Sequence, residues 1–202
     1  MEAQAKKPSA RIRLLNAADE LFSRNGIVHT GVDDVLALAQ VSVATLYAQF
    51  GSKDGLLQAS LQRRLEIWQS YWDEALAAAE SDQDRLLAVF DALKSYRRHQ
   101  HNARWCAFLS AAVEIPGPDH PATQLLAADT ALLEERLLHL SRQVADAHAG
   151  DLAAAILLIY NGTLASLLRG SPADPIAIAR DTARLAIRAY TQQLPTYLES
   201  SI

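Results

Sequence analysis

From residue 9 onward, apolar and polar positions alternate with the period of an α-helix, and no stretch alternates with the period of a strand. Ile12, Leu15, Ala18 and Phe22 form one stripe of an amphipathic helix over residues 9–25, and Gly26 follows as its stop. Thr30 and Asp33 have the spacing of a capping box, opening a short helix in which Val35, Leu36 and Ala39 share a face. Ser42 is the expected N-cap of a second short helix, anchored by Leu46 and Phe50. Only Gln40 and Val41 lie between the two. So short a connection makes the helices cross steeply, with Ala39 small enough for close approach and Val41 filling the gap. That is the geometry of a helix-turn-helix, whose second helix presents its N-terminal side chains to base edges in the DNA major groove.

The same reading continues to the C-terminus. Ser52 with Asp54 opens a long helix to about residue 79, lined by Leu56, Leu57, Leu61, Leu65, Trp68 and Trp72. Ser81 with Asp84 opens another to about His101, and Asn102 a third that Pro116-Gly117-Pro118 stops after Ile115. Helices are expected over about 121–144 and 151–169, then from the cap and first-turn proline at Asp174-Pro175 to about Gln193. The pattern predicts an all-α fold of about nine helices. A three-helix DNA-binding head occupies residues 1–53 and a helical effector-binding and dimerisation bundle residues 54–202.

Composition narrows the setting. Half of the 202 residues are apolar, enough for a substantial core, and a single cysteine excludes a disulfide framework, as expected of a cytoplasmic protein. The first ten residues lack the apolar core of a signal peptide. The apolar run Leu152–Tyr160 is too short to span a bilayer and is followed by Asn161 and Gly162, so no membrane partner is expected. The net charge of −4 is unevenly spread. Residues 1–64 hold eight Lys/Arg and six Asp/Glu, a net of +2, and residues 65–202 hold eleven and seventeen, a net of −6. Lys6, Lys7, Arg11 and Arg13 are expected to form a mobile basic arm that adds phosphate contacts. With so small a basic excess, useful affinity is expected from a dimer reading two half-sites.

In order, spacing and residue type, residues 11–57 resemble the head of TetR-type transcriptional repressors. The resemblance is carried by Arg11 to Phe22, the Gly26 turn, Thr30, Val35, Ala39, Val41-Ser42, Thr45-Leu46-Tyr47, Phe50, Ser52-Lys53 and Leu56-Leu57. It implies that Thr30, Ser42, Thr45, Tyr47 and Lys53 contact double-stranded DNA, mainly its phosphates, with Val43 and Ala44 nearest the bases. Two residues depart from the family pattern. Gln40 stands where glycine is usual and tolerates a left-handed backbone less well. Val43 stands where a basic residue is frequent, which shifts base reading toward thymine methyl contact and Gln49.

The helix over 152–168 is apolar around nearly its whole circumference, so every side needs cover. Ile156, Ile159 and Gly162 there, with Ile178 and Leu185 on the last helix, are the candidate interface with a second copy. The resemblance implies the same: a homodimer through the last two long helices, released from a palindromic operator when a small-molecule effector fills the middle of the bundle. The aromatic-rich positions Trp68, Tyr71, Trp72, Phe90, Tyr96, Trp105, Phe108 and Tyr160 are the candidate pocket lining, although aromatics at helical spacing serve equally as core. Asn161 has three readings: a bond across the dimer, a bond to the effector, or a polar neighbour.

Little else carries chemistry. His99 and His101 diverge on a helix, and with His120 they read as surface histidines rather than metal ligands. Cys106 sits among apolar neighbours as a small hydrophobe. No phosphate loop, nucleophile elbow or carboxylate pair is present, so no cofactor and no enzymatic activity are expected. The expected function is a ligand-released DNA-binding repressor. The alternatives are an activator or nucleoid-type binder without an effector and, far behind, a helical enzyme.

Overall fold

A computed structural model describes residues 8–99, 106–115, 117 and 119–192. Among these there are nine α-helices and no strand: α1 (Ala10–Asn25), α2 (Val32–Ala39), α3 (Val43–Phe50), α4 (Lys53–Ala77), α5 (Asp82–His99), α6 (Ala107–Glu114), α7 (Thr123–Ala145), α8 (Ala149–Arg169) and α9 (Pro175–Thr191). A short 3-10 turn, Asp146–His148, precedes α8, which therefore starts two residues before Asp151. The helix expected from Asn102 is described only as α6, because residues 102–105 lie outside the described set.

Four helices start at the caps that the sequence announces. The Ser42 hydroxyl accepts from the Thr45 amide at 3.3 Å, Ser52 from Gly55 at 3.0 Å and Ser81 from Asp84 at 3.1 Å. The Asp174 carboxylate accepts from the Ala177 amide at 3.1 Å, with Pro175 in the first turn. One cap is displaced. α2 is capped by Gly31, whose amide donates to Asp34 at 3.3 Å, not by the Thr30 and Asp33 pair.

Two compact units result. The first lies within residues 1–67 and 100–129, so it extends beyond the expected cut after residue 53. Its core is Leu14, Ala18, Leu21 and Phe22 of α1 against Val35, Ala39, Leu46, Leu56, Leu57 and Leu61, all under 9% exposed. α1 is fastened to α4 by charge: Asp19 accepts from Ser60, Arg63 and Arg64, and Arg63 also donates to Asn16 at 2.8 Å. A Cβ at Gly55 would stand 2.0 Å from the Phe50 carbonyl oxygen, so the approach of α4 to the end of α3 admits only hydrogen there.

The second unit lies within residues 68–99 and 130–202. α9 packs on α8 and on α5. Trp72, Phe90, Leu86, Leu137, Leu152, Ile156 and Ile187 are fully buried, and Arg180 on α9 donates to Asp91 on α5 at 3.0 and 3.1 Å. The stretch Thr123–Arg169 contains a window long and apolar enough by length and composition to cross a membrane, with a mean hydropathy of 1.6. Residues of this stretch also supply Leu137, Leu140, Leu152 and Ile156 to the core of the second unit.

Candidate nucleic-acid interface and aromatic core

The helix-turn-helix is assembled as its spacing predicts. Gln40 is the only non-glycine residue with positive φ among the described residues (φ 54°, ψ 53°), so the turn between α2 and α3 does place a glutamine in the left-handed region. For a residue with a Cβ that conformation costs on the order of 1 kcal/mol. Arg13 offsets the cost. From α1 its Nε donates to the Ala39 carbonyl at 2.9 Å and one Nη to the Gln40 carbonyl at 3.3 Å, while the other Nη donates to Pro8 at 2.9 Å. The guanidinium thus caps the carbonyl end of α2, where unpaired acceptors and the helix dipole both favour a cation. This corrects the expectation that Arg13 belongs to a mobile phosphate-binding arm. Lys6 and Lys7 lie outside the described residues. Arg11 is exposed, with its guanidinium 4.8 Å from the centre of the Phe50 ring.

The outer face of α3 is open. Ser42, Val43, Ala44, Tyr47 and Gln49 are exposed, with Val43 and Tyr47 half-accessible at 51% and 52%, and Thr45 is partly covered with its hydroxyl 2.9 Å from that of Ser42. α3 carries no charged residue. Two expected contacts are placed differently. Thr30 is fully buried and its hydroxyl donates to the Gly26 carbonyl at 2.6 Å, so it holds the α1–α2 loop instead of facing outward. Lys53 is half-buried and its ammonium donates to the Ile27 carbonyl at 2.7 Å.

The same loop is gripped from the other side by a residue that sequence reasoning missed. Glu114, at the end of α6, accepts from the Val28 amide at 2.9 Å and from the Ser110 hydroxyl at 2.7 Å. Burial alone would push its carboxyl up, yet the Val28 amide, the Ser110 hydroxyl and the Ile27 amide, with His29 nearby, hold it below the usual carboxylate range. A partner 86 positions away in sequence leaves no local signal.

In the second unit the expected aromatics do meet. Trp68 packs on Trp72, Tyr96 and Tyr160 with ring centres 5.7–6.1 Å apart, Tyr71 packs on Tyr96 at 5.7 Å, and Phe90 is fully buried. The Trp72 Nε1 and the Ser141 hydroxyl are buried with no hydrogen-bond partner among the described residues. Phe108 is buried in the first unit, Trp105 lies outside the described residues, and Asn161 is exposed on α8 rather than directed into the aromatic core. A cleft of about 490 Å³ in this unit is lined by Tyr71, from the edge of the aromatic cluster, with Glu74, Asp84, Asp91, Ser95 and Arg180. Of the candidate interface residues, Ile156 is fully buried within the chain and so cannot meet a partner. Ile178 and Leu185 are 52% and 62% exposed, Gly162 is exposed and Ile159 is half-buried. Leu158 at 72% and Leu168 at 50%, not singled out from sequence, extend the same apolar surface.

The other candidates hold structural roles. His99 pairs with the Ser95 carbonyl at 2.9 Å and stacks on Tyr71. His120 accepts from the Ala122 amide at 3.1 Å and stands 3.5 Å from Asp54, and His101 lies outside the described residues. Burial pushes the Cys106 thiol up to about 11, with the charge of Asp129 adding to it, which makes the thiol inert rather than reactive.

Known proteins agree with this geometry. Residues 14–60 match the family described as "Bacterial regulatory proteins, tetR family". The solved structure of a TetR-family transcriptional regulator from Streptomyces coelicolor superposes with a TM-score of 0.83 at 27% identity, over 90% of this chain and 96% of that one. The chain belongs to the TetR family. The HTH-type transcriptional regulator BetI of Paraburkholderia phytofirmans is 27% identical over 177 residues, covering 84% of this chain and 88% of that protein. The HTH-type transcriptional activator FasR of Mycolicibacterium smegmatis is 35% identical over 89 residues, 44% of this chain and 41% of that one. This TetR-family protein is accordingly a DNA-binding transcriptional regulator and not an enzyme.

Proposed function

We propose that the protein is a cytoplasmic homodimeric repressor that binds a palindromic operator and leaves it when a small molecule occupies the aromatic core of its second unit. The observation that carries this reading is the exposed, uncharged N-terminal face of α3 on a turn held rigid from α1. On that face Val43 and Ala44 reach base edges, most simply thymine methyls, and Gln49 an adenine. Ser42, Thr45 and Tyr47 bond phosphates, and Lys53 keeps two N–H donors beyond the one it gives to Ile27. Thr30 has no place in this set.

Leu158, Leu168, Ile178 and Leu185 lie on two helices packed against each other, and the open space at Gly162 lets another backbone approach closely. A twofold through this surface covers it with itself and sets two copies of α3 against two half-sites. Trp72 Nε1 and the Ser141 hydroxyl, without a partner among the described residues, are the donors that a bound effector with an acceptor oxygen would satisfy.

The likeness to FasR favours one second reading, an activator working through the same head and the same twofold. Selecting bound duplexes from a random pool with the purified protein tests the proposal. An inverted repeat bound two chains at a time supports it, and recovery of no consensus by folded protein at low salt refutes it. Transcription from a promoter carrying that repeat separates repressor from activator.

A further inference from the structure

The loop joining α1 to α2 sets the angle at which the helix-turn-helix leaves the first helix, and it is held by three side chains from three directions. Thr30 bonds the Gly26 carbonyl from within the loop, Lys53 bonds the Ile27 carbonyl from the start of α4, and Glu114 collects amides from the end of α6. Thr30 and Lys53 belong to the head itself, whereas Glu114 is brought in from far along the chain. We propose that Glu114 is a positioning residue for DNA binding: its carboxylate fixes the 27–28 turn, and through it the orientation of α2 and α3, without touching DNA.

Three further observations support this. Ser110, one helical turn earlier and buried, donates to the second carboxylate oxygen at 2.7 Å, so the side chain is oriented and not merely nearby. Gly26 has φ 83°, and a Cβ there would stand 3.0 Å from Glu114 Oε2, so the loop is shaped to admit the carboxylate. The carboxyl lies below its ordinary range, as expected of an ionised acceptor bound by amides. Since α6 carries the carboxylate, anything that shifts α6 shifts the recognition helix by the same bond. The proposal deepens the DNA-binding reading and takes it as given.

The test uses the full-length protein and the duplex selected by the wild type. Glu114→Ala is expected to weaken binding roughly ten-fold, the scale of losing one charge-assisted hydrogen bond. The salt slope should stay that of the wild type, because no phosphate contact is removed. Glu114→Gln keeps an acceptor oxygen and should recover part of the loss. Hydrogen exchange of the Ile27 and Val28 amides should rise in Glu114→Ala while core amides of α1 stay protected. Affinity within two-fold of the wild type overturns the proposal, and so does a changed salt slope, which would make Glu114 an electrostatic contributor. Should Glu114→Ala fail to fold, the wild-type Val28 amide resonance decides: it must shift with an acidic titration midpoint below that of an ordinary glutamate, and an amide indifferent to pH overturns the assignment. If the wild type selects no duplex, the DNA-binding reading itself fails, which the amide titration tells apart from failure of the Glu114 role.

Discussion

Replacing Arg13 by methionine removes every donor while keeping most of the stem. Sequence and structure assign this residue opposite roles, so the experiment divides them. In the structure the guanidinium makes one part-buried bond to Ala39 at 2.9 Å and two exposed bonds, to Pro8 at 2.9 Å and to Gln40 at 3.3 Å. A charged hydrogen bond contributes about 1.5–3 kcal/mol when sheltered, and solvent reduces the exposed ones to a few tenths each. Losing the cation at the carbonyl end of α2 costs about another 0.5 kcal/mol. The expected loss is thus about 2.5–4 kcal/mol, a large share of the stability of a small domain. Guanidinium unfolding should show a lower midpoint with the slope unchanged. DNA affinity should fall because the left-handed Gln40 turn loosens, while the salt slope stays that of the wild type. A phosphate-binding arm predicts the reverse, with stability untouched and the slope smaller by about one. Stability within about 0.5 kcal/mol of the wild type, coupled with a reduced slope, would refute the clamp.

Three other outcomes are expected. Gln40→Gly relieves a left-handed penalty of about 1 kcal/mol but adds unfolded-state freedom, so a net gain of about 0.5 kcal/mol is expected by denaturant titration, with the selected DNA sequence unchanged. Burial raises the Asp129 carboxyl from 3.8 to about 6, so the folded state binds this proton more tightly than the unfolded state. Stability from this group therefore grows as pH falls through about 6, and Asp129→Asn should stabilise the protein by at most about 3 kcal/mol at pH 8 with the advantage gone near pH 4; a pH-independent effect would exclude a buried charge as its origin. Cys106 should react with a neutral alkylating reagent at pH 7.5 far more slowly than a free thiol until the protein is unfolded, since a thiol near 11 is thiolate in well under about one molecule in a thousand.

What the sequence determined is what short-range chemistry controls. Helix periods, the Ser42, Ser52, Ser81 and Asp174 caps and the two-residue turn after Ala39 depend on neighbours within one or two turns, and they were readable in order. The same locality made the family resemblance specific over the head. Tertiary structure decided whatever depends on which side of a helix is covered and on which residues meet across the fold. Thr30 reads as a cap or a DNA contact until the loop folds over it. Ile156 and Leu158 lie two positions apart on a helix apolar all round, and only the packing of α8 in the second unit buries one and exposes the other. Arg13 and Glu114 pair with backbone 26 and 86 positions away. Backbone carbonyls and amides are the same in every residue, so no pattern of side-chain types can announce such partners before the chain has brought them together.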